Sequence, residues 1–357
     1  MGSKGVDFSR EVYRHQDLRR PEGAEGSRPY GSMAPCELSG QSDGGQSDTT
    51  SKRSESPPRR KRASKRYSGG FQEQAPEGES YPDIRWKRKM IEFGQLVNSI
   101  ETILCVPLSA TCELSIWLNN PRLSFYGRED ADYKRAVSTV QRKFTHFNYQ
   151  DIVNLMAKTS HLVWYARSDD HYLTNERSID LVIRLLVFQY GSVDEARLFV
   201  ERLWNIVEKK IPKKNTMFVN GPANCGKSWF FDMVVSFYVN VGHVANFVRG
   251  NNFPLNDCVN RRILYWNEPS IMPSGYETLK MLSGGDPCAA SVKYQSGTTI
   301  HRTPLIMTAN NANIFPSGPV WDTRVFRETW KSAPMLKKVI GYPSPRCFPD
   351  LIEWALC

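Results

Sequence analysis

The chain is short of several things, and each shortage removes a class of protein. In 357 residues no apolar run approaches the ~20 residues that cross a bilayer, and the amino terminus, MGSKGVDFSREVYRHQ, has no apolar core of the secretory kind. A soluble intracellular protein with no membrane partner is therefore expected. Eight cysteines are scattered without a C-x-x-C pair, and the six histidines include no H-x-H or H-x-x-x-H grouping. Neither a disulfide framework nor a zinc site is indicated. No internal repeat recurs along the chain.

Basic residues, by contrast, are in excess. A formal charge of +10 favours a polyanionic partner, most simply nucleic acid, although a basic tail alone could supply it. Residues 1–80 are rich in Gly, Ser, Pro, Glu and Arg and nearly free of β-branched residues, a composition that reads as a disordered tail. Within it Pro57 to Arg66, PPRRKRASKR, reads as a nuclear-import signal for import receptors, as a non-specific DNA-binding arm, or as a solvated charge run. The import reading places the protein in the host cell nucleus.

From about Arg85 the pattern turns helical. Ile91, Leu96, Val97, Ile100, Ile103 and Leu104 recur at helical spacing until Pro107, and further helices are expected over Glu129–Phe144, Tyr149–Trp164, Asn175–Phe188 and Val193–Val207. Without strands between them, residues 81–208 read as a helical subdomain. Its aromatics, Trp117, Trp164, Tyr165 and Trp204 among them, read as core residues rather than base-stacking platforms. After the basic hinge Lys209-Lys210-Ile211-Pro212-Lys213-Lys214, strand and helix alternate through residues 209–335, and 336–357 form a short extension.

The chemistry concentrates at Thr216 to Ser228, TMFVNGPANCGKS. A buried strand there feeds a G-x-x-x-x-G-K-S loop, Gly221, Pro222, Ala223, Asn224, Cys225, Gly226, Lys227 and Ser228, and the apolar run Trp229 to Val239 follows. Glycines at both ends let successive N–H groups turn inward on phosphate oxygens at a helix N-terminus. Lys227 is expected at the β- and γ-phosphates of ATP, and Ser228 at Mg²⁺. Two further apolar strands, Ile263 to Trp266 and Thr303 to Thr308, end in Asn267-Glu268 and Ala309-Asn310-Asn311. Three such strands fit a parallel sheet with its ligand beyond the carboxyl ends. Glu268 is the candidate to polarise water and organise Mg²⁺, Asn267 could add only a neutral oxygen or a bridging water, and Asn310 is a candidate γ-phosphate sensor. Between the last two strands, Ala289 to Tyr294 and Thr298 to Arg302 are expected to form a hairpin with Ser296-Gly297 near its tip, Lys293 and Tyr294 offering a cation and a ring to DNA. Arg324 could reach a neighbouring subunit's γ-phosphate, with Arg327 the competing choice.

In this order the features resemble the superfamily 3 helicase domain of small DNA viruses, above all the large non-structural replication protein of parvoviruses and densoviruses. The likeness covers about Asn215 to Phe326 and is carried by GPANCGKSWF, NNFPLNDCVNRRILYWNE, LKMLSGGDPCAASVK and TPLIMTANN. It implies an AAA+-like α/β P-loop ATPase that forms a hexamer around single-stranded DNA and moves 3′ to 5′, with the preceding helices as its oligomerisation region. It also implies Lys227 and Ser228 at ATP and Mg²⁺, Glu268 as Walker B acid, Lys293 on the DNA hairpin, Asn310 as sensor and Arg324 as arginine finger. Two departures stand out. The Walker B tip reads Asn267-Glu268 where the family usually has two acids. The family's nickase, with paired histidines and a tyrosine nucleophile, has no counterpart in residues 1–210, so nicking is not expected of this chain. A DNA helicase of viral replication is the leading expectation. A nucleotide-gated DNA-binding scaffold with little turnover is the alternative, and a small-molecule kinase fits less well for want of an arginine-bearing lid.

Overall fold

The computed structural model describes residues 91–357 apart from 160, 165–170, 294 and 316–317. The basic tail and its Pro57 to Arg66 segment lie outside the described residues. The chain opens with α1 (Phe93–Thr102), β1 (Ile103–Val106), α2 (Ser115–Leu118), α3 (Ala131–Thr145), α4 (Tyr149–Lys158), β2 (His161–Trp164), α5 (Asn175–Tyr190) and α6 (Val193–Val207). It continues with β3 (Thr216–Asn220), α7 (Lys227–Phe237), β4 (Val241–His243), β5 (Ile263–Asn267), α8 (Tyr276–Gly284), β6 (Cys288–Val292) and β7 (Gln295–Ile300). The last elements are β8 (Leu305–Ala309), α9 (Pro319–Asp322), β9 (Val325–Thr329) and α10 (Phe348–Leu356).

Local signals set the helix ends. Asp130 caps α3 by accepting from the Asp132 and Tyr133 amides, and Asn148 with Asp151 forms a capping box on α4. Ser192 caps α6, while Gly191, at φ 82°, ends α5 in the left-handed conformation that glycine adopts without penalty.

Two expected helices end early. The apolar run from Ile91 gives only α1 before Ile103–Val106 become a fully buried strand, and the run from Tyr149 gives α4 before His161–Trp164. These strands pair with each other in parallel, Ile103 opposite His161 and Val106 opposite Trp164. A short apolar run ending a helical pattern is equally consistent with a buried strand, and only the partner segment decides. The helical region is thus α/β in part.

The central sheet has the order β4-β5-β8-β3-β9, with every pair parallel. Parallel strands need cover on both faces, and the alternation along them divides the core accordingly. Met217, Val219, Ile263, Tyr265 and Ile306 face one apolar cluster, which includes α3, α5, α6, α7 and α10. Phe218, Leu264, Trp266, Leu305 and Met307 face the other, beneath α8 and the β6–β7 hairpin. The described residues form one compact unit, so the helical segment and the sheet share a core. Trp117 lies fully buried edge-on to Tyr133, as expected of a core aromatic. The C-terminal residues also enter this core, because α10 packs on α5, α6 and α7. No helix among the described residues is long and apolar enough to cross a membrane.

One buried ion pair joins the helical segment to the sheet. Arg262, immediately before β5 and 1% exposed, donates to the carbonyls of Phe147 (2.6 Å) and Val207 (2.8 Å) and to Glu208 Oε1 (2.5 Å). Glu208 also accepts from the Tyr238 hydroxyl at 2.9 Å and the Tyr149 amide at 3.2 Å. Replacing such a pair as a unit is often tolerated, whereas removing one partner strands a buried charge. Arg262→Ala is accordingly expected to cost about 3–5 kcal/mol in chemical denaturation, and a loss below ~1 kcal/mol would show that water reaches Glu208.

Candidate functional site

The phosphate loop is built against the strands on either side of β3. Asn220 closes β3 by accepting from the Trp330 amide at 2.8 Å, and Gly221 donates to Ala309 O at 3.1 Å. A Cβ on Gly221 would stand 2.4 Å from the Trp330 carbonyl oxygen. That close approach, rather than a special φ, is why glycine is required there. Gly226 is needed for its φ of 93° and because a Cβ would meet Leu336 Cδ1 at 2.7 Å. Gly226 offers no side-chain cap, so the first amides of α7 are left for another acceptor.

Three strand ends then meet. Lys227 is 6% exposed, and its amine donates to Gly221 O (2.7 Å), Pro222 O (3.2 Å) and Asn310 Oδ1 (3.2 Å), with Cys225 Sγ at 3.3 Å. The Asn310 amide in turn donates to Glu268 Oε2 at 3.1 Å. Glu268 takes φ 49°, a left-handed backbone that costs a non-glycine residue about 1–3 kcal/mol. Lys227, Asn310 and Glu268, far apart in sequence, thus form one hydrogen-bonded chain across the ends of β3, β8 and β5. They border a cavity of about 360 Å³ lined also by Ala223, Asn224, Cys225, Gly226, Ser228, Trp229, Ala333, Leu336 and Lys337. Gly221 and Pro222 sit behind this lining and act on it through the Lys227 amine.

Two expected members are not brought to the cavity. Asn267 is absent from its lining, and its Oδ1 already accepts from the Thr308 hydroxyl at 2.7 Å, which Tyr265 approaches at 3.3 Å. Arg324 lies at the opposite end of the sheet, where its carbonyl accepts from the Asn215 and Thr216 amides at the start of β3 and its guanidinium donates to Val320 O at 2.7 Å. Its competitor Arg327 sits on β9, 3.8 Å from Asp322.

Other contributors carried no signal in the sequence. Gln189, near the end of α5, donates to Cys225 O at 3.0 Å and to Lys331 O at 2.8 Å and accepts from the Lys331 amide at 2.8 Å. One amide side chain therefore ties the phosphate loop to the segment after β9. That segment supplies Ala333, Leu336 and Lys337, and only the basic pair Lys337-Lys338 could have drawn notice to it.

The hairpin forms, with its turn elsewhere than expected. Val292 pairs with Gln295 and Ala290 with Thr298, so β7 carries one residue more than β6 over this stretch. Gly297, at φ 67°, absorbs that bulge within the strand instead of turning the chain. The turn falls after Val292, which puts Lys293 at the tip; Tyr294 lies outside the described residues. The Lys293 amide donates to Asn256 Oδ1 at 3.2 Å, its amine lies 5.8 Å from the Phe253 ring, and with Gly250, Asn251 and Asn252 these residues line a second cavity of about 410 Å³.

The Gly221 contact yields a direct test. Gly221→Ala is expected to lower stability by about 1–3 kcal/mol by forcing the loop away from Trp330, read by urea unfolding, whereas an unchanged midpoint would show that the two segments part freely.

Residues 187–315 match the family described as parvovirus non-structural protein NS1. The initiator protein NS1 of Bombyx mori densovirus is 39% identical over 54% of this chain and 23% of its own length. That of Junonia coenia densovirus is 29% identical over 68% of this chain and 46% of its own. The chain therefore spans less than half the length of either relative. The X-ray structure of JCV helicase has a TM-score of 0.44 at 14% identity, covering 73% of this chain and 80% of that one. Through the phosphate loop and the two strand ends beside it, the chain resembles the NS1 non-structural proteins of parvoviruses and densoviruses.

Proposed function

We propose that the chain is an ATP-driven DNA helicase of superfamily 3 serving viral single-stranded DNA replication. The observation that carries this is the convergence of Lys227, Asn310 and Glu268 on one cavity at the N-terminus of α7. The donor set suits a magnesium triphosphate. Gly221 and Gly226 let the loop close against Trp330 and Leu336, the first α7 amides have no side-chain cap, and Ser228 is exposed beside the lysine. ATP with Mg²⁺ would supply a phosphoanhydride bond and a Lewis acid to neutralise its charge.

The chain's own groups supply the rest. The Lys227 amine and the α7 amides would stabilise negative charge on the phosphates, and Ser228 with Glu268 would hold the metal. Glu268, oriented by the Asn310 amide, accepts a proton from the attacking water. Asn310, bonded to both Lys227 and Glu268, reports whether the phosphate is present. The apolar end of the cavity, Ala333 and Leu336, suits the nucleoside.

Arg324, remote from its own subunit's loop, serves the next subunit of a hexameric ring. Lys293 at the hairpin tip, with Tyr294 and the neighbouring Phe253, contacts single-stranded DNA moving 3′ to 5′. Work in the host nucleus follows from import through Pro57 to Arg66.

One observation favours a second reading. Because position 267 holds an amide rather than an acid and its oxygen accepts from Thr308, a bound metal would find the Glu268 carboxylate alone, where two would bind it more tightly. A nucleotide-gated DNA-binding scaffold with slow turnover fits that deficit. Lys227→Ala is expected to abolish DNA-stimulated ATP hydrolysis, measured as phosphate release; undiminished hydrolysis would refute the nucleotide site. Asn267→Asp separates the two readings: a large gain in turnover supports the scaffold, and little change or a loss supports a competent native ATPase.

A further inference from the structure

The basic hinge before β3 is not used by the nucleotide site, since it enters the sheet at the opposite end. The structure gives it a defined shape. Lys209 (φ 54°) and Lys213 (φ 62°) both take left-handed backbone conformations, folding the segment into a compact turn. Arg302, between β7 and β8, holds this turn by donating to Ile211 O at 2.5 Å. The Lys210 amine lies 4.7 Å from the Trp204 ring centroid and that of Lys214 4.3 Å from Phe326.

These cations are positioned by ring faces and backbone rather than by acids. Among the described residues no carboxylate lies within ion-pair distance of Lys209, Lys210, Lys213, Lys214 or Arg302. Asp322, the acid that acts on Lys214, is already 3.8 Å from Arg327. Burial pushes the Lys209 amine below its usual range, with Arg262 and Arg302 adding to the effect and Glu208 opposing it; burial also lowers Lys214. A charge run that merely solvates itself would not hold the Lys209 and Lys214 amines partly buried, the first of them beside Arg262 and Arg302. A polyanion laid across them would offset that cost.

The topology indicates which polyanion. β7 ends at Ile300, and His301 and Arg302 lead directly into β8, so the base of the hairpin adjoins the hinge that leads into neighbouring β3. A phosphate backbone leaving Lys293 at the hairpin tip would meet Arg302 and the hinge lysines at its base.

We propose that Lys209, Lys210, Lys213, Lys214 and Arg302 form a second contact for a nucleic-acid phosphate backbone, continuous with the hairpin, at the end of the sheet opposite the nucleotide site. The proposal rests on the reading of the chain as a polynucleotide-binding protein.

The test is fluorescence anisotropy of a labelled oligothymidylate with the full chain over a salt series, without nucleotide. Lys210→Gln with Lys213→Asn removes two exposed charges, and asparagine tolerates the left-handed backbone at 213. The slope of log affinity against log salt is expected to become shallower by about 1.4, near 0.7 for each lost phosphate contact on a single strand. Lys210→Arg with Lys213→Arg should keep the native slope. An unchanged slope in the neutral pair overturns the proposal, as does a loss in the arginine pair equal to that in the neutral pair. Lys293→Ala separates the failures: if it weakens binding while the neutral pair does not, the hairpin reading survives and this face does not. If the native chain fails to bind the oligonucleotide, both fall. Should the double variant melt early, each single substitution is expected to shift the slope by about half as much.

Discussion

The site depends on β8 lying in parallel between β5 and β3. That arrangement sets Asn310 between Lys227 and Glu268, and its two hydrogen bonds join the phosphate loop to the acidic strand end. Burying an ammonium group is expensive unless it is fully bonded. Lys227 meets this requirement with the carbonyls of its own loop, so the lysine and the loop fix each other's conformation. The left-handed backbone at Glu268 belongs to the same constraint, since strain persists where the surroundings hold it. Here the Glu268 amide donates to Thr308 O at 2.8 Å while its carboxylate accepts from Asn310.

The helical segment is structurally part of this site. Gln189 and Leu185 of α5 touch the phosphate loop, and the buried pair of Arg262 and Glu208 anchors the amino end of β5, whose other end carries Glu268. On the far side of α6, Arg202 meets Glu328 of β9 at 3.2 Å, and Tyr190 bridges Glu328 to Trp330. Burial raises the Glu328 carboxyl while Arg202 opposes the rise, which keeps a polar connection inside an otherwise apolar contact. The loop is therefore braced from α5 on one side and from the segment after β9 on the other.

Nucleotide and polynucleotide readings fall on different parts of the same sheet. The cavity lies beyond the carboxyl ends of the strands, whereas the hinge lysines and the base of the hairpin lie at the amino ends, separated by strands of five residues or roughly 17 Å. Strands paired this tightly do not slide independently.

The phosphate loop was legible in the sequence because its demands are local: two glycines, a lysine and a hydroxyl in fixed order between a buried strand and a helix. The apolar strands and most helices were legible for the same reason, since periodicity and caps act within a few residues. Tertiary structure decided whatever depended on a distant partner. It turned the tails of two helical runs into β1 and β2, moved the hairpin turn from Gly297 to Lys293, and withdrew Asn267 from the cavity by giving its oxygen to Thr308. It also brought in Gln189 and Leu336, whose types and spacing announce nothing. Backbone conformation is written in neighbouring residues, but which side chains share a cavity is fixed only when strands remote in sequence pair.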